Sequence, residues 1–397
     1  MRTSDPFPIA YQGLEPTHTL DWQGMAQRII RDSLKLAPHE RVILSANPYC
    51  GGAMLDAIRI EIQRADAIEL ATILHWTPDV ALLRGPTGCK TDPESERRED
   101  QAMRALFAVA EVFIWLQNDW RPKHATQAVG QSEKVLADWP GRSVHFHWFH
   151  DPNDPDPDSE ANKALDLVYQ RAVLGLDYAA LRRTMDTLVA GMGGRTVRVT
   201  DPAGTDLSFR MSHRFCLNDG DASREAVADA RCARDREEEI PCGALRAIPE
   251  PGSVTGVMAF KADPGYPVLG YGLDFRPFMA QGMRIYFEDG RIVRLETGSD
   301  QAELDRLWAE ETGDKDRLGE FVLGCNPLLT EVPGSRFLPY CGFGDGMLRL
   351  TIGENLESGG THVSSLHRWM MFRQATISVD ADVLVADGRL TPSAQGG

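Results

Sequence analysis

The stretch Glu40-Arg-Val-Ile-Leu-Ser-Ala46, ERVILSA, decides the fold class, because a short apolar run directly behind an amphipathic helix describes a strand buried on both faces. The helix before it starts at Asp21, an N-capping residue, and places Met25, Ile29, Ile30 and Leu34 at helical spacing. The alternation recurs downstream. Leu55, Ile58 and Ile62 share a helical face before AIELATIL (67–74), a helix over 98–109 precedes VFIWLQ (112–117), and one over 132–138 precedes SVHFHWF (143–149). Strands alternating with helices predict an α/β domain with a mostly parallel, doubly wound sheet over residues 1–150.

The segment HDPNDPDPDSE (150–160) carries four aspartates and three prolines, so it can neither pair in a sheet nor bury itself. An acidic, Pro-rich linker is therefore expected over 151–160. After helices expected at 161–174 and 178–190, the pattern changes to strands joined by turns, including MRIYFEDGRIVRLET, where Asp289-Gly290 signals a hairpin. Residues 161–397 are expected to form a mainly antiparallel α+β domain. The chain carries no internal repeat and no glycine-rich phosphate loop.

Composition excludes several functions. The 397-residue chain has 42 basic and 58 acidic residues, a formal charge of -16, which repels nucleic acid and anionic lipid. It lacks the run of ~20 apolar residues that spans a bilayer. Its first residues, MRTSDPFPIAYQG, lack the apolar core of a signal peptide, so a cytoplasmic protein is expected. Seven scattered cysteines without a CxxC pair fit free thiols.

Two clusters offer chemistry. In HFHWFHD (145–151), His145 and His147 share one strand face, and a site at the end of a parallel strand competes with the ordinary role of partly buried histidines. The second cluster spans RLGEFVLGCNP (317–327), GDGMLRLTIGENLESGGTH (344–362) and HVSSLHRW (362–369). Glu320 sits in an apolar strand, where a buried carboxylate needs a cation or hydrogen bonds. With His362 and His367 it makes two imidazoles and a carboxylate, a set suited to non-haem iron(II) or to hydrolytic zinc or manganese. Spacing alone leaves the other reading open, in which Glu320 pairs with Arg349 or Arg368 and the histidines cap turns.

The order of the helix and ERVIL strand, GTDL (204–207), IPCGALRAIPEPGSVTGVMAF, GEFVLGCNP and ESGGTHVSSLH resembles the aminopeptidase T family of metallopeptidases and the sister group containing 2,5-dihydroxypyridine dioxygenase. The resemblance runs from about residue 20 to 390 and is strongest over 319–367. It implies metal-ligand positions at Ala244, Glu320, Arg349, His367 and Trp369, of which only Glu320 and His367 carry ligand atoms, and it puts Leu356 where the peptidases have a tyrosine. A two-metal peptidase site cannot be assembled from these residues. The expectation is a mononuclear site of Glu320, His362 and His367 holding one divalent ion, Fe(II) in preference to Mn or Zn, in a homodimeric enzyme with a small-molecule substrate.

Three functions follow from different classes. One is a ring-cleaving dioxygenase for an anionic aromatic or heteroaromatic compound, with Arg349 or Arg368 on the anionic group and Trp369 stacked on the ring. Another is a one-metal hydrolase of an amide, lactam or ring-bound leaving group, with Glu357 or Glu354 as base. The last is a non-catalytic binding protein. Cys242 and Cys325, near the aligned site, are soft ligands or buried apolar residues in the same scheme.

Overall fold

The computed structural model describes residues 18–46, 48–74, 93–117, 135–148, 150, 154, 156–263, 266, 268–333 and 342–395. The chain divides into two compact units, one of residues 1–175, 220–241 and 332–340, the other of 176–219, 242–331 and 341–397.

In the first unit the strands Arg41–Ala46, Ile68–Leu74, Val112–Gln117 and Arg142–His147 form the expected parallel sheet. Val42, Ile43 and Leu44 are fully buried, as a strand with helices on both faces requires. The connections behave as read: Asp21 accepts from Gly24 N at 2.8 Å to start the first helix, and Pro48–Arg64 and Pro93–Phe107 supply crossovers. The sheet also holds a fifth strand, Glu237–Ile240, beside Arg142–His147. Its sequence, EEEI, has no apolar run to announce it. The chain thus returns to this unit after residues 176–219, and helix Glu160–Leu174 stays with it. The divide does not follow the 151–160 segment.

The fifth strand explains His145 and His147. His145 Nδ1 lies 3.5 Å from Glu237, His147 Nε2 lies 3.7 Å from Glu239, and Arg234 reaches both carboxylates. Trp115 packs edge-on to His145 with ring centres 4.9 Å apart. These imidazoles are held as partners of carboxylates on the neighbouring strand.

The second unit is built on antiparallel strands, as expected for the C-terminal half. Val268–Tyr271, His367–Phe372, Leu348–Gly353, Leu318–Gly324, Ala244–Pro249 and Asp206–Asn218 lie side by side in that order. Met283–Glu288 and Arg291–Thr297 form the hairpin read from the sequence, with Asp289 at φ 47° and Gly290 at φ 79°, the left-handed pair that such a two-residue turn needs. Among the described residues no helix is long and apolar enough to cross a membrane.

One buried ion pair ties the first unit together. Arg142 Nη2 donates to both Glu40 oxygens at 2.5 and 2.6 Å, and its Nη1 donates to the carbonyls of Leu34 and Ala222. Burial alone would raise the Glu40 carboxyl, but hydrogen bonds from Arg142, Ala37 N and Arg224 hold it below the usual carboxylate range. Arg142→Met is expected to cost about 3–5 kcal/mol by stranding that charge, read as a lower urea midpoint at pH 7. Because the Glu40 pKa is lowered on folding, its contribution is present above the unfolded value and lost as pH falls through the folded value. The gap between wild type and variant should therefore narrow in acid, and equal midpoints at pH 7 would refute the assignment.

Candidate active site

Register builds the site. In an antiparallel sheet, residues directly opposite one another project from the same face. Glu320 is opposite Thr351, and Thr351 is opposite Trp369. Val322 is opposite both Arg349 and Arg246, Arg246 is opposite Cys216, and Gly353 and Tyr271 are opposite His367. One face thus collects Arg246, Glu320, Arg349, Thr351, His367, Trp369 and Tyr271. The other carries Leu245, Phe321, Leu323, Leu348, Leu350, Ile352 and Met370, all buried. One face is core and the other holds the chemistry.

Arg368 falls on the wrong face. It lies opposite Ile352 and Gly270, and its guanidinium donates to the carbonyls of Leu273, Gly270 and Gly272. The structure does not bring it to the site; it secures the edge strand instead.

Glu320 is 4% exposed and its charge is met by hydroxyls. Ser358 Oγ donates to Oε1, and Thr351 Oγ1 donates to Oε2 at 3.4 Å. Ser358 comes from the short turn Leu356–Ser358, which Asn355 anchors. The Asn355 amide donates to Gly319 O at 3.0 Å and faces His362 Nδ1 at 3.3 Å, while its oxygen accepts from His362 N at 2.9 Å. Because an amide nitrogen only donates, His362 Nδ1 is the acceptor of that pair. Burial lowers the His362 pKa, against the opposing charge of Asp314 and, more weakly, a hydrogen bond with the Gly353 carbonyl.

His367 is likewise engaged at both nitrogens. Nδ1 donates to Glu354 O at 2.9 Å, and Nε2 accepts from Trp369 Nε1 at 2.6 Å. Tyr271, 44% exposed, stacks on the imidazole with ring centres 5.5 Å apart and planes at 23°. The ligand atoms of Glu320, His362 and His367 do not gather within 4.8 Å of one another. With their nitrogens and oxygens in these hydrogen bonds, and with two guanidiniums on the same face, these three residues do not fit a metal ion.

The arginines are spaced by aromatic rings. Arg349 lies 4.0 Å from the centre of Trp369, and Phe343 sits 5.7 Å from Arg349 and 5.1 Å from Arg246. Ring faces attract both cations and separate them. Cys325 is fully buried and its thiol is pushed upward by desolvation, which keeps it protonated and out of ligand chemistry.

Glu354 differs from its neighbours. Burial, then the fields of Glu357 and Glu320, raise its pKa against the Leu356 N–H bond and the attraction of His367. Its Oε1 accepts from Leu356 N at 2.8 Å and its Oε2 lies 3.6 Å from His367 Nδ1. Glu357, on the turn, raises it as a like charge. Sequence alone named Glu357 as the catalytic carboxylate, with Glu354 the other choice, and it missed Tyr271, Arg246, Asn355 and Ser358; for Arg246 and Tyr271 the signal is the alternation within ALRAIP and LGYG, legible only once the strand register is known.

The two-unit architecture matches known proteins. The chain superposes on 2,5-dihydroxypyridine dioxygenase from Pseudomonas putida with a TM-score of 0.59 at 17% identity, covering 95% of this chain and 98% of that one. It superposes on wild-type AmpT from Thermus thermophilus with a TM-score of 0.61 at 16% identity, covering 93% and 98%. The chain shares their fold. No family model matches it, and no curated protein matches it in sequence. The α/β and α+β halves and the overall architecture expected from the motif resemblance are those found.

Asn355→Ala strands the His362 amide and the Gly319 carbonyl, at about 1–3 kcal/mol for a buried group left unpaired. Faster hydrogen exchange at the His362 amide and a lower denaturation midpoint are expected; unchanged exchange would show that the turn does not depend on Asn355.

Proposed function

We propose that the chain is an enzyme that hydrolyses a small, planar, anionic aromatic or heteroaromatic compound, with Glu354 as general base. The observation that carries the proposal is the raised pKa of Glu354, held beside His367 on the face that also presents Arg349 and Trp369. A carboxyl whose pKa is raised is, when ionised, a stronger base than an ordinary surface glutamate.

In this proposal the substrate ring stacks at the Tyr271 and Trp369 edge and its anionic group is drawn toward the Arg349 charge. Glu354 takes a proton from water as the water oxygen adds to the substrate carbonyl, then returns it to the departing nitrogen or oxygen. The Leu356 N–H fixes one Glu354 oxygen and leaves the other toward His367. Glu357 tunes the base rather than replacing it. The homodimer expected from the resemblance belongs to the same proposal and is read by light scattering.

A second function, an iron(II) ring-cleaving dioxygenase, draws support from the fold shared with 2,5-dihydroxypyridine dioxygenase. The Glu320, His362 and His367 set does not fit an ion, so no step is assigned to one. Turnover of carboxylated aryl amides and lactams, measured with and without oxygen and chelator, separates the two. Activity indifferent to both is expected for the hydrolase, and oxygen consumption coupled to turnover would overturn it.

Glu354→Gln should lower kcat roughly 100- to 10,000-fold with the fold intact. Since the base must be ionised, wild-type activity rises with pH through the raised Glu354 pKa. Glu357→Gln removes a like charge, so that acid limb should move to lower pH; a limb that stays in place would exclude Glu354 as the titrating group.

A further inference from the structure

A cavity of about 570 Å³ opens in the second unit between the segment 272–278 and the helix Gln301–Glu310. It takes no residue from the candidate active site. Its floor is apolar: Leu273 and Phe278 are buried, and Pro277 and Leu307 extend the same wall. The two sides are tied by hydrogen bonds, so the space exists before any guest arrives. Thr297 Oγ1 donates to the Phe278 carbonyl at 2.7 Å and Ser299 Oγ to the Pro277 carbonyl at 3.1 Å, while Arg368 donates to the Leu273 carbonyl at 2.8 Å. The volume lies within the roughly 300–1,000 Å³ of small-molecule sites.

Every charged side chain in the wall is acidic: Asp274, Asp300, Glu303, Glu310 and Glu311. Arg276 pairs with Asp274 at 2.6 Å, and Arg306 pairs with Glu303 at 2.7 Å and with Glu310 at 2.5 Å. Asp300 and Glu311 form no ion pair among the described residues. Asp300 caps the helix by accepting from Glu303 N at 3.0 Å, and Glu311 accepts from the Ser365 hydroxyl. Arg368, spoken for by the carbonyls of Gly270, Gly272 and Leu273, is the one other guanidinium whose field reaches Asp274 and Glu311. Carboxylates thus outnumber guanidiniums, and the cavity is negative.

The carboxylates are also spread out. Asp300 and Glu303 stand at the start of a helix about 15 Å long, Glu310 and Glu311 at its end, and Leu307 lines the cavity between them. Glu311 stands against the helix dipole with no cation paired to it. No three of these groups bring oxygens within 4.8 Å of one another, so a bare metal ion finds no cage. Negative charge at both ends of an apolar floor matches ammonium groups separated by methylenes. The ammonium groups take charge-assisted hydrogen bonds, and the methylenes cover the floor.

We propose that this cavity binds a linear aliphatic polyamine, with ammonium groups at the Asp300 and Glu311 ends and methylenes over Leu273, Phe278 and Leu307. The site rests on its own residues and not on Glu354 chemistry.

The test is calorimetric titration of the full chain at pH 7 with spermidine and, separately, with propylamine and magnesium chloride, at ionic strength matched with sodium chloride. Saturable binding of spermidine at one per chain is expected, with propylamine, which carries a single charge, about tenfold weaker or more. Glu311→Gln should weaken spermidine roughly threefold or more, as loss of a charge-assisted pair does. Asp300→Asn should do the same while keeping the helix cap. Asp380→Asn, which removes an exposed carboxylate outside the cavity, should leave the affinity unchanged. Several results would overturn the proposal: no saturable spermidine binding, propylamine or magnesium binding as tightly as spermidine, wild-type affinity in both folded cavity variants, or equal weakening by Asp380→Asn, which would mark attraction to net charge alone. Failure of the hydrolase experiments would leave these titrations unaffected.

Discussion

Strand register in the second unit is the constraint on which the candidate site depends. Side chains alternate across a sheet with a period of two, so the pairing of Glu320 with Thr351 and of Thr351 with Trp369 fixes the surroundings of every polar group at once. A slip of one residue would turn Leu350 and Phe321 onto this face and drive Glu320 and Arg349 into the apolar core. Burial of Phe321, Leu323, Leu348, Leu350 and Ile352 opposes that slip. Each large apolar side chain withdrawn from water contributes about 1.5–3 kcal/mol, so the oily face holds the polar face in place.

Buried charge on that face is offset locally. Glu320 receives two hydroxyls, and the arginines stack on Phe343 and Trp369. An unpaired carboxylate or guanidinium in such a position would cost several kcal/mol. These contacts explain why the turn at 355–362 is stitched down by Asn355: the turn delivers Ser358 to Glu320. Loosening the turn would uncover the carboxylate.

The parallel sheet of the first unit was legible because strands buried on both faces announce themselves as apolar runs. Glu237–Ile240 was not, since its side chains are satisfied by His145, His147 and Arg234, partners far away in sequence. Among the candidate site residues, parity alone could have separated His367 and Trp369 from Arg368, one step along the same strand. Grouping Glu320 with Arg349 needed register, which no spacing within one segment supplies. His362 looked like a ligand because a histidine after a glycine turn resembles one; its Nδ1 is instead spoken for by an asparagine seven residues earlier. What sets Glu354 apart is its place beside His367 and the N–H of Leu356, which the string GENLESGG does not encode.

The arginine at 349 also bears on how one architecture accommodates different chemistry. A carboxylate on a buried sheet face can be balanced by a mobile ion or by fixed cations and hydroxyls, and the two solutions compete, because a guanidinium in the neighbourhood raises the cost of adding a divalent charge. Here Arg246 and Arg349 flank Val322, and Glu320 lies two residues along that same strand. Once fixed cations serve that balance, the face attracts anions instead of cations. Its remaining ionisable groups are then free to be tuned by one another, as Glu354 is by Glu357 and Glu320. In the proposed hydrolase the arginines take the place a cation would fill, and the same face then serves proton transfer to and from an anionic guest.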